Sequence, residues 1–334
     1  MTLDTLLKSS ARSLYLSAKI LPRKIRRAFY CGYLFCRAAD SIADASLIEP
    51  AARLELIKKF PRAIDGSDDT FLNDLKNAVD QDTEAQAEKT LLENIHIYIK
   101  EYNNLAPARQ KLVADVVRAV CGAMEWDLSF FPAEKSGLLK AVPNDSLTIN
   151  YCDSMGGAPG IFWAKLLLDG RQDDAFINDA KNIGRALQIT NILRDIAHDA
   201  AISRCYLPLT DLTAHDLMPQ DLPDKKNYKK LRPVVYKWIS WGLGNISRAP
   251  DFMAKIPRRQ FGARAAAAWP ILWSLDTFLL LAQSKNLLDK TQRVKIPRKT
   301  IYLTMLASPF FCCSNFVFRK IVENKIKKFP TLQS

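Results

Sequence analysis

Apolar residues recur at intervals of three and four along most of the chain, the spacing that places them on one face of an α-helix. No stretch shows the alternation of apolar and polar residues that predicts a half-buried strand, and 12 glycines in 334 residues are few for an all-β protein. We therefore expect an all-α fold with about ten or more helices. The predicted helical tracts are 14–45 with a joint at Pro22, 51–63, 71–79, 82–103, 106–127, 147–168, 173–200, 229–248 and 258–282.

The chain length leaves the number of domains open, because 334 residues is about twice the ordinary domain size of ~150. A turn at 65–69 and a loop between Pro132 and Pro143 separate helices without changing the pattern on either side. The stretch 211–228 is rich in Asp, Pro and Lys, as linkers are, yet the same apolar spacing resumes after it. We therefore expect a single domain over 1–334, which includes a basic and apolar C-terminal segment at 285–334.

The composition is that of a globular protein, with 48% hydrophobic and 25% charged residues. Seven cysteines form an odd set without the spacing of a zinc site or a redox pair, which predicts buried thiols in a reducing compartment. Residues 1–13 contain no apolar run long enough for a signal peptide. These features predict a cytoplasmic protein.

The net charge of +13 is concentrated near the C-terminus, where 285–328 carries eleven basic and two acidic residues. Such a region is compatible with nucleic acid, an anionic membrane surface or a phosphorylated ligand, and also with simple solvation. Within it, the 18 residues 301–318 are mostly apolar, near the lower length limit for a membrane span. Pro309 and polar neighbours favour a core or surface-lying segment instead. We expect peripheral membrane contact and no binding of nucleic acid.

A first polar cluster lies in the sequence CGYLFCRAADSIAD, where Tyr33, Arg37, Asp40 and Asp44 recur at helical spacing. The two aspartates are four residues apart, so their carboxylates lie on one face of a helix. Two like charges are tolerated on a solvated face. Here, however, apolar residues surround them, and a carboxylate pair against an apolar surface needs a cation.

A second cluster forms a continuous polar stripe on a helix that is otherwise apolar, at Gln188, Asn191, Asp195 and Asp199. If two helices with such aspartate pairs face one another, four carboxylates converge, and they coexist only around a divalent metal. Mg²⁺ suits oxygen ligands, and substrate phosphates commonly complete its coordination. Arginines near the pairs supply the positive charge that a diphosphate also requires. These are Arg37, Arg194 and Arg204.

With these motifs in place, the sequence resembles the squalene and phytoene synthases, which join two prenyl diphosphates head to head. The resemblance rests on four segments that occur in the order of the family and span most of the chain. They are 11–14 (ARSL), 33–44, 151–160 (YCDSMGGAPG) and 187–208 (LQITNILRDIAHDAAISRCYLP). The resemblance implies an all-α isoprenoid-synthase fold in which both Asp-rich motifs face a central cavity.

By position, the resemblance also implies roles for individual residues. The implied Mg²⁺ ligands are Asp40, Asp44, Asn191, Asp195 and Asp199. The residues implied to bind diphosphate or complete the metal shell are Arg12, Ser13, Arg37, Gln188, Asn191, Arg194 and Arg204. Tyr33 and Tyr151 correspond to tyrosines thought to steady cationic intermediates or the leaving group. The chain departs from the family at His198 and Ala43, where acidic residues are common, and we expect His198 to be a rim or packing residue.

The resemblance leaves the reaction open, because squalene synthases use NADPH whereas dehydrosqualene and phytoene synthases need no reductant. The region 264–298, with QRVKIPR, is more like squalene synthases, and it implies that Lys295 and Arg298 contact the phosphates of NADPH. A solvated or membrane-facing basic strip is the competing interpretation of these two residues. No G-x-G-x-x-G motif is present, so a Rossmann-type cofactor site is not expected.

We therefore expect two farnesyl diphosphates to be condensed to presqualene diphosphate, which is then reduced to squalene. The alternative is a reductant-independent dehydrosqualene or phytoene synthase. A non-catalytic assembly factor is a more remote alternative, since all four aspartates of the two motifs are retained. The sequence contains no indication of the oligomeric state.

Overall fold

The computed structural model describes residues 2–10, 12–45, 48–66, 68, 70–79, 86–134 and 136–329, with side chains except at 12–14, 79 and 86–88. Helices dominate these residues, as the apolar spacing predicts. The chain divides into two compact units, Met1–Phe130 with Phe162–Gln172, and Phe131–Ile161 with Asp173–Ser334. The expected single domain stays a prediction.

The first unit is built on a long helix that begins directly after Pro22 and ends before Asp44. This helix, α3, packs against α8 and buries Phe35, whose ring contacts the rings of Phe60 and Tyr98 edge-on. The helices of this part of the chain are α1 (Leu3–Ser10), α2 (Arg12–Lys19), α3 (Arg23–Ala43), α4 (Pro50–Ile64), α5 (Phe71–Val79), α6 (Gln86–Glu93), α7 (Ile95–Asn103) and α8 (Pro107–Phe130). The aromatic core fixes α3, and thereby the first Asp-rich motif that it carries.

The second unit contains the two short strands and most of the remaining helices. In chain order the elements are β1 (Lys140–Val142), α9 (Asp145–Cys152), a π-helical turn (Asp153–Gly157), α10 (Ala158–Leu168), α11 (Asp174–Ala201), β2 (Arg204–Pro208), α12 (Leu209–Thr213), α13 (Tyr228–Ile246), α14 (Ala249–Lys255), α15 (Phe261–Gln283), α16 (Arg298–Leu306), α17 (Ser308–Cys313) and α18 (Asn315–Ile326), with 3₁₀ turns at Pro219–Asp221 and Lys225–Asn227. Of α10, the residues from Phe162 onward belong to the first unit.

Helix α11 is the structural centre of the second unit, where it packs against α13, α15 and the π-helical turn. The side chain of Asp173 caps its start by accepting a hydrogen bond from the backbone N–H of Phe176 at 2.9 Å. Thr190 on α11 bonds the hydroxyl of Ser274 on α15 at 2.7 Å. Buried side chains cover one side of α11, whereas its polar stripe is half-buried or exposed and is therefore available for chemistry.

The sequence pattern missed several features that depend on contacts between distant residues. Strands β1 and β2 pair in parallel, with Lys140 opposite Arg204, although neither strand alternates in polarity. The predicted helix 82–103 is interrupted at Asn94, and the predicted helix 147–168 contains the π-helical turn. A strand of five residues with all side chains buried has no polar face, so period-two patterning cannot reveal it.

The apolar segment 301–318 is not one continuous helix but is divided among α16, α17 and α18. Among the described residues, one helix, Phe261–Gln283, is long and apolar enough to cross a membrane, and 67% of its apolar window is buried inside the protein. The thiols expected to be buried are largely so, since Cys31, Cys121, Cys152, Cys205 and Cys312 are buried. Cys313, in contrast, is exposed, because it faces outward at the end of α17.

Candidate active site

The first Asp-rich motif occupies the C-terminal half of α3. Tyr33, Arg37 and Asp40 are half-buried on this helix, and Asp44 is the exposed residue that caps its end. Arg37 forms an ion pair with Asp40 one turn away. Arg37 thus offsets part of the negative charge of the motif, while Asp44 is open to solvent.

Burial raises the pKa of Tyr33 to about 12, and the negative charge of Asp40 adds to this effect while Arg37 opposes it. The phenol of Tyr33 is therefore protonated at neutral pH and is able to donate a hydrogen bond. It is not a base under these conditions.

The second Asp-rich motif lies on α11, where Asp195 has a side chain only 15% exposed. Two arginines contact it: Arg194 places Nη2 2.6 Å from Oδ2, and Arg293 places Nη2 2.6 Å from Oδ1. Burial raises the pKa of Asp195, but the hydrogen bonds and charges of Arg194 and Arg293 outweigh burial, so the net pKa is lowered. This carboxylate is ionised at neutral pH.

The rest of the polar stripe on α11 borders Asp195. Gln188 and Asp199 are half-buried, whereas Asn191 and His198 are exposed. Because the residues lie three or four positions apart on a straight helix, their polar groups lie along one side. The stripe thus offers two carboxylates and two amides in a row.

The π-helical turn that follows Tyr151 and Cys152 is joined to α11 by an ion pair and by backbone contact. Arg185 of α11 donates from Nη2 to Oδ2 of Asp153 at 2.7 Å, and a second hydrogen bond joins its Nε to Oδ1. The hydrogen bonds and charge of Arg185 outweigh the effect of burial and lower the pKa of Asp153. This arrangement fixes the YCDSMGG segment against the helix that carries the second motif.

Tyr151 is 9% exposed and stacks on Tyr206 of β2, with ring centroids 4.4 Å apart. Thr148 donates its hydroxyl to the carbonyl of Tyr206 at 2.8 Å, which ties α9 to β2. Arg204, also on β2, is buried and lies 3.7 Å from the carboxylate of Glu134. The strand after α11 therefore places an aromatic ring against Tyr151 and carries a buried cation two residues away.

The family model described as "Squalene/phytoene synthase" matches residues 7–300, most of the chain. The protein belongs to this family. Among its relatives, the bifunctional lycopene cyclase/phytoene synthase of Colletotrichum graminicola is 27% identical over 273 residues, which are 78% of this chain and 43% of that protein. The squalene synthase of Eremothecium gossypii is 23% identical over 317 residues, which are 92% of this chain and 68% of that protein.

The fold agrees with this membership. A solved structure, the complex of TcSQS with ligand BPH1237, superimposes with a TM-score of 0.78 at 17% identity, covering 99% of this chain and 92% of that one. At this identity the match establishes the squalene synthase fold and nothing about the reaction. The expected all-α isoprenoid-synthase fold is thereby confirmed.

The site residues predicted from the sequence are divided between the two compact units. The first unit holds Tyr33, Arg37, Asp40 and Asp44, and the second holds Tyr151, Gln188, Asn191, Arg194, Asp195, Asp199, Arg204, Lys295 and Arg298. The side chains of Arg12 and Ser13 lie outside the described residues. Within the second unit, Lys295 and Arg298 are exposed and lie close in sequence to Arg293, which contacts Asp195.

Two residues of the second unit were given no role by the sequence. Tyr206 belongs to the quoted segment 187–208, but its stacking on Tyr151 is a contact between distant residues that the motif does not indicate. Arg293 precedes the basic VKIPR stretch, but nothing in the local spacing connects it with a residue 98 positions earlier. Its contact with Asp195 is a product of the tertiary structure.

The donor set of each motif fits Mg²⁺. Within either unit, the described residues contain no group of three or more His, Cys, Asp or Glu side chains placed to hold a metal. Each motif instead contributes two carboxylates, with the amide of Asn191 added on α11. Oxygen ligands of this limited number suit Mg²⁺, which keeps several waters and takes further ligands from substrate phosphates.

Proposed function

We propose that this protein is a head-to-head prenyltransferase that condenses two farnesyl diphosphates to presqualene diphosphate and reduces it with NADPH to squalene. The observation that carries the reductive step is the contact of Arg293 with Asp195. It ties the basic stretch that contains Lys295 and Arg298 to the helix of the second Asp-rich motif. The hydride has to reach the carbon from which the diphosphate leaves. The contact supports this step because it holds the proposed NADPH-binding stretch close to the proposed diphosphate-binding helix.

Asp40, Asp44, Asn191, Asp195 and Asp199 would hold Mg²⁺, which when bound supplies positive charge to the departing diphosphate. The cationic side chains Arg37, Arg194 and Arg204 and the amide of Gln188 would bind the diphosphate oxygens, together with Arg12 and Ser13. Arginine suits this task because its planar guanidinium matches phosphate geometry. Each motif would thus supply charges that favour the ionisation of a diphosphate.

Tyr33 and Tyr151 would face the cations that form when diphosphate leaves. An aromatic ring stabilises a nearby cation through its negative face, and a protonated phenol donates a hydrogen bond to the leaving group. The pKa of about 12 keeps Tyr33 in this form. The stack of Tyr151 on Tyr206 would hold the ring in one orientation.

NADPH, when bound, supplies the hydride of the second step, and Lys295 and Arg298 would hold its phosphates. Both side chains are exposed and positively charged, which fits a dinucleotide phosphate. The glycines Gly156, Gly157 and Gly160 lie in the π-helical turn and α10 and are not part of a phosphate-binding loop after a strand. The proposed cofactor site is therefore not of the Rossmann type.

The test is to incubate the purified protein with Mg²⁺ and either farnesyl or geranylgeranyl diphosphate, with and without NADPH, and to identify the hydrocarbon by mass spectrometry. We expect squalene from the C15 substrate only when NADPH is present. Dehydrosqualene or phytoene formed at the same rate with and without NADPH would establish the reductant-independent alternative. No product under any condition would favour the assembly-factor alternative.

A paired variant tests the cofactor residues separately. Lys295→Ala/Arg298→Ala should raise the KM for NADPH about tenfold or more, because two phosphate contacts are lost. Lys285→Ala/Lys290→Ala removes the same charge from two exposed residues nearby and should leave this KM unchanged. If both double variants raise the KM for NADPH equally, the basic strip acts through its overall charge and not through specific contacts of Lys295 and Arg298.

We also propose that the enzyme works in the cytoplasm while attached peripherally to an anionic membrane. Five of the eleven exposed large apolar side chains in the described part of the chain fall between residues 302 and 316. They are Tyr302, Leu303, Leu306, Phe310 and Phe316, exposed by 53–76%. This apolar patch supports insertion into the interfacial region of a bilayer, which could also accept a hydrocarbon product.

The charges around the apolar patch support an anionic surface as the partner. The sequence 290–322 contains no acidic residue, while Lys295, Arg298, Lys299 and Lys320 are exposed. The acidic residues just outside this range are already paired, Asp289 with Lys225 and Glu323 with Lys320. A second copy of the same surface would be repelled by this charge, whereas anionic headgroups would be attracted.

A further inference from the structure

Arg293 lies in a non-helical segment between α15 and α16 and reaches across to Asp195 on α11. Its side chain is 50% exposed, whereas that of Asp195 is 15% exposed. The segment is held on one side by Asp289, which pairs with Lys225 at 2.7 Å, and continues into α16 after Pro297. Arg293 is therefore the cation of this segment that contacts the proposed metal ligand.

The arginines use the hydrogen-bonding capacity of the Asp195 carboxylate. Oδ1 accepts hydrogen bonds from Arg293 Nε at 2.8 Å and from Arg194 Nε at 3.1 Å, and Arg293 Nη2 lies 2.6 Å from the same oxygen. Oδ2 accepts from Arg194 Nη2 at 2.6 Å. A carboxylate oxygen has two lone pairs, so Oδ1 has none left for a metal ion.

The two arginines differ in how they reach Asp195. Arg194 is the preceding residue on α11, so its position relative to the Asp195 carboxylate is fixed by the helix. Arg293 comes from a segment 98 residues later and can leave without disturbing α11. A divalent cation that binds Oδ1 would repel the guanidinium at that oxygen, and Arg293 is the one free to move.

We propose that Arg293 is a placeholder cation: it neutralises Asp195 before metal binds, is displaced from Oδ1 by the divalent cation, and then binds an oxygen of the diphosphate. This inference rests on the proposed metal site and adds a positioning residue to it. The displaced guanidinium remains tethered near the motif, where a diphosphate brings the opposite charge. Its planar donors suit that group.

The test is a titration of the metal-free protein with Mn²⁺, in which free Mn²⁺ is measured by electron paramagnetic resonance with and without inorganic diphosphate. Arg293→Gln should bind Mn²⁺ about three- to tenfold more tightly than wild type without diphosphate, because the competing cation is gone. When inorganic diphosphate is titrated into the Mn²⁺-loaded proteins, the same variant should bind diphosphate more weakly than wild type. A role confined to holding the segment in place would not change the two affinities in opposite directions.

Two controls separate the possible failures. Arg319→Gln removes an arginine of similar exposure, 46%, from its pair with Asp251, and should leave Mn²⁺ affinity unchanged. Asp195→Asn should lose the tight Mn²⁺ site, and if it does not, the metal site of the proposed function fails together with this inference. If Asp195→Asn loses the site but Arg293→Gln binds Mn²⁺ no more tightly than wild type, the placeholder role alone is overturned.

Discussion

The backbones of Gly156 in the π-helical turn and Gly184 in α11 approach so closely that neither residue has room for a side chain. A Cβ atom on Gly156 would lie 2.2 Å from the carbonyl oxygen of Gly184, and a Cβ on Gly184 would lie 2.0 Å from that of Gly156. These are contacts with backbone atoms, which cannot rotate away. The contact holds the segment after Tyr151 against the helix that carries Asp195.

Gly184→Ala is therefore expected to lower the free energy of unfolding by about 2 kcal/mol or more, as overpacked substitutions do. The matched control is Gly244→Ala, an exposed helical glycine with open space around its Cβ, which should stabilise the protein by about 0.5–1 kcal/mol. Urea denaturation of the two variants measures both effects. Equal stabilities for the two variants would contradict the close contact.

The two Asp-rich motifs should be needed for turnover but not for folding. Asp40→Asn and Asp195→Asn each remove one charge from the proposed metal ligands, and we expect turnover to fall about a hundredfold or more. Asp115→Asn and Asp251→Asn remove the same charge from ion pairs with Arg118 and Arg319 and should keep full activity. Steady-state kinetics with Mg²⁺, together with thermal unfolding, distinguish the cases. A folded and fully active Asp195→Asn would refute the metal assignment.

The ion pair of Asp153 with Arg185 should make stability depend on pH at the acid end. The folded pKa of Asp153 is lowered, so its stabilisation is complete above the unfolded value of about 3.9 and is lost as the pH falls through the folded pKa. Near pH 7, Asp153→Asn should melt about 2–4 °C below wild type. This difference should close as the pH falls through the lowered pKa of Asp153. A difference in Tm that stays constant with pH would contradict the ion pair.

Membrane binding should depend on the apolar patch around α16 and α17. Sedimentation with phosphatidylglycerol vesicles should show binding of wild type at low salt and release at high salt. Leu306→Asp/Phe310→Asp should weaken partitioning about a hundredfold or more, because two apolar side chains no longer insert. Leu138→Asp changes a leucine that is 62% exposed elsewhere in the same unit and should bind like wild type.

Two outcomes of the vesicle experiment would count against peripheral attachment. Binding that resists high salt and is released only by detergent would indicate an integral anchor. Failure of wild type to sediment at low salt would remove membrane association through this surface.

Much of the fold could be predicted because local spacing specifies local structure. The predicted helix 173–200 corresponds to Asp174–Ala201, and the predicted helix 71–79 to Phe71–Val79. The cap formed by Asp173 and the apolar periodicity of the helix both involve residues close in sequence. They can therefore be recognised in the sequence itself. Departures occur where distant segments meet: β2 is a strand because it pairs with β1, and the turn after Cys152 is π-helical where it meets α11.

The sequence by itself determined the candidate chemistry, since residues three and four apart on one helix must share a face. That rule predicts the stripe from Gln188 to Asp199 and the shared face of Arg37, Asp40 and Asp44. Only the tertiary structure decided which distant groups complete these motifs. Arg293 meets Asp195 across 98 positions, and Tyr206 stacks on Tyr151 across 55. Such contacts follow from the packing of whole elements, which the spacing along one helix does not encode.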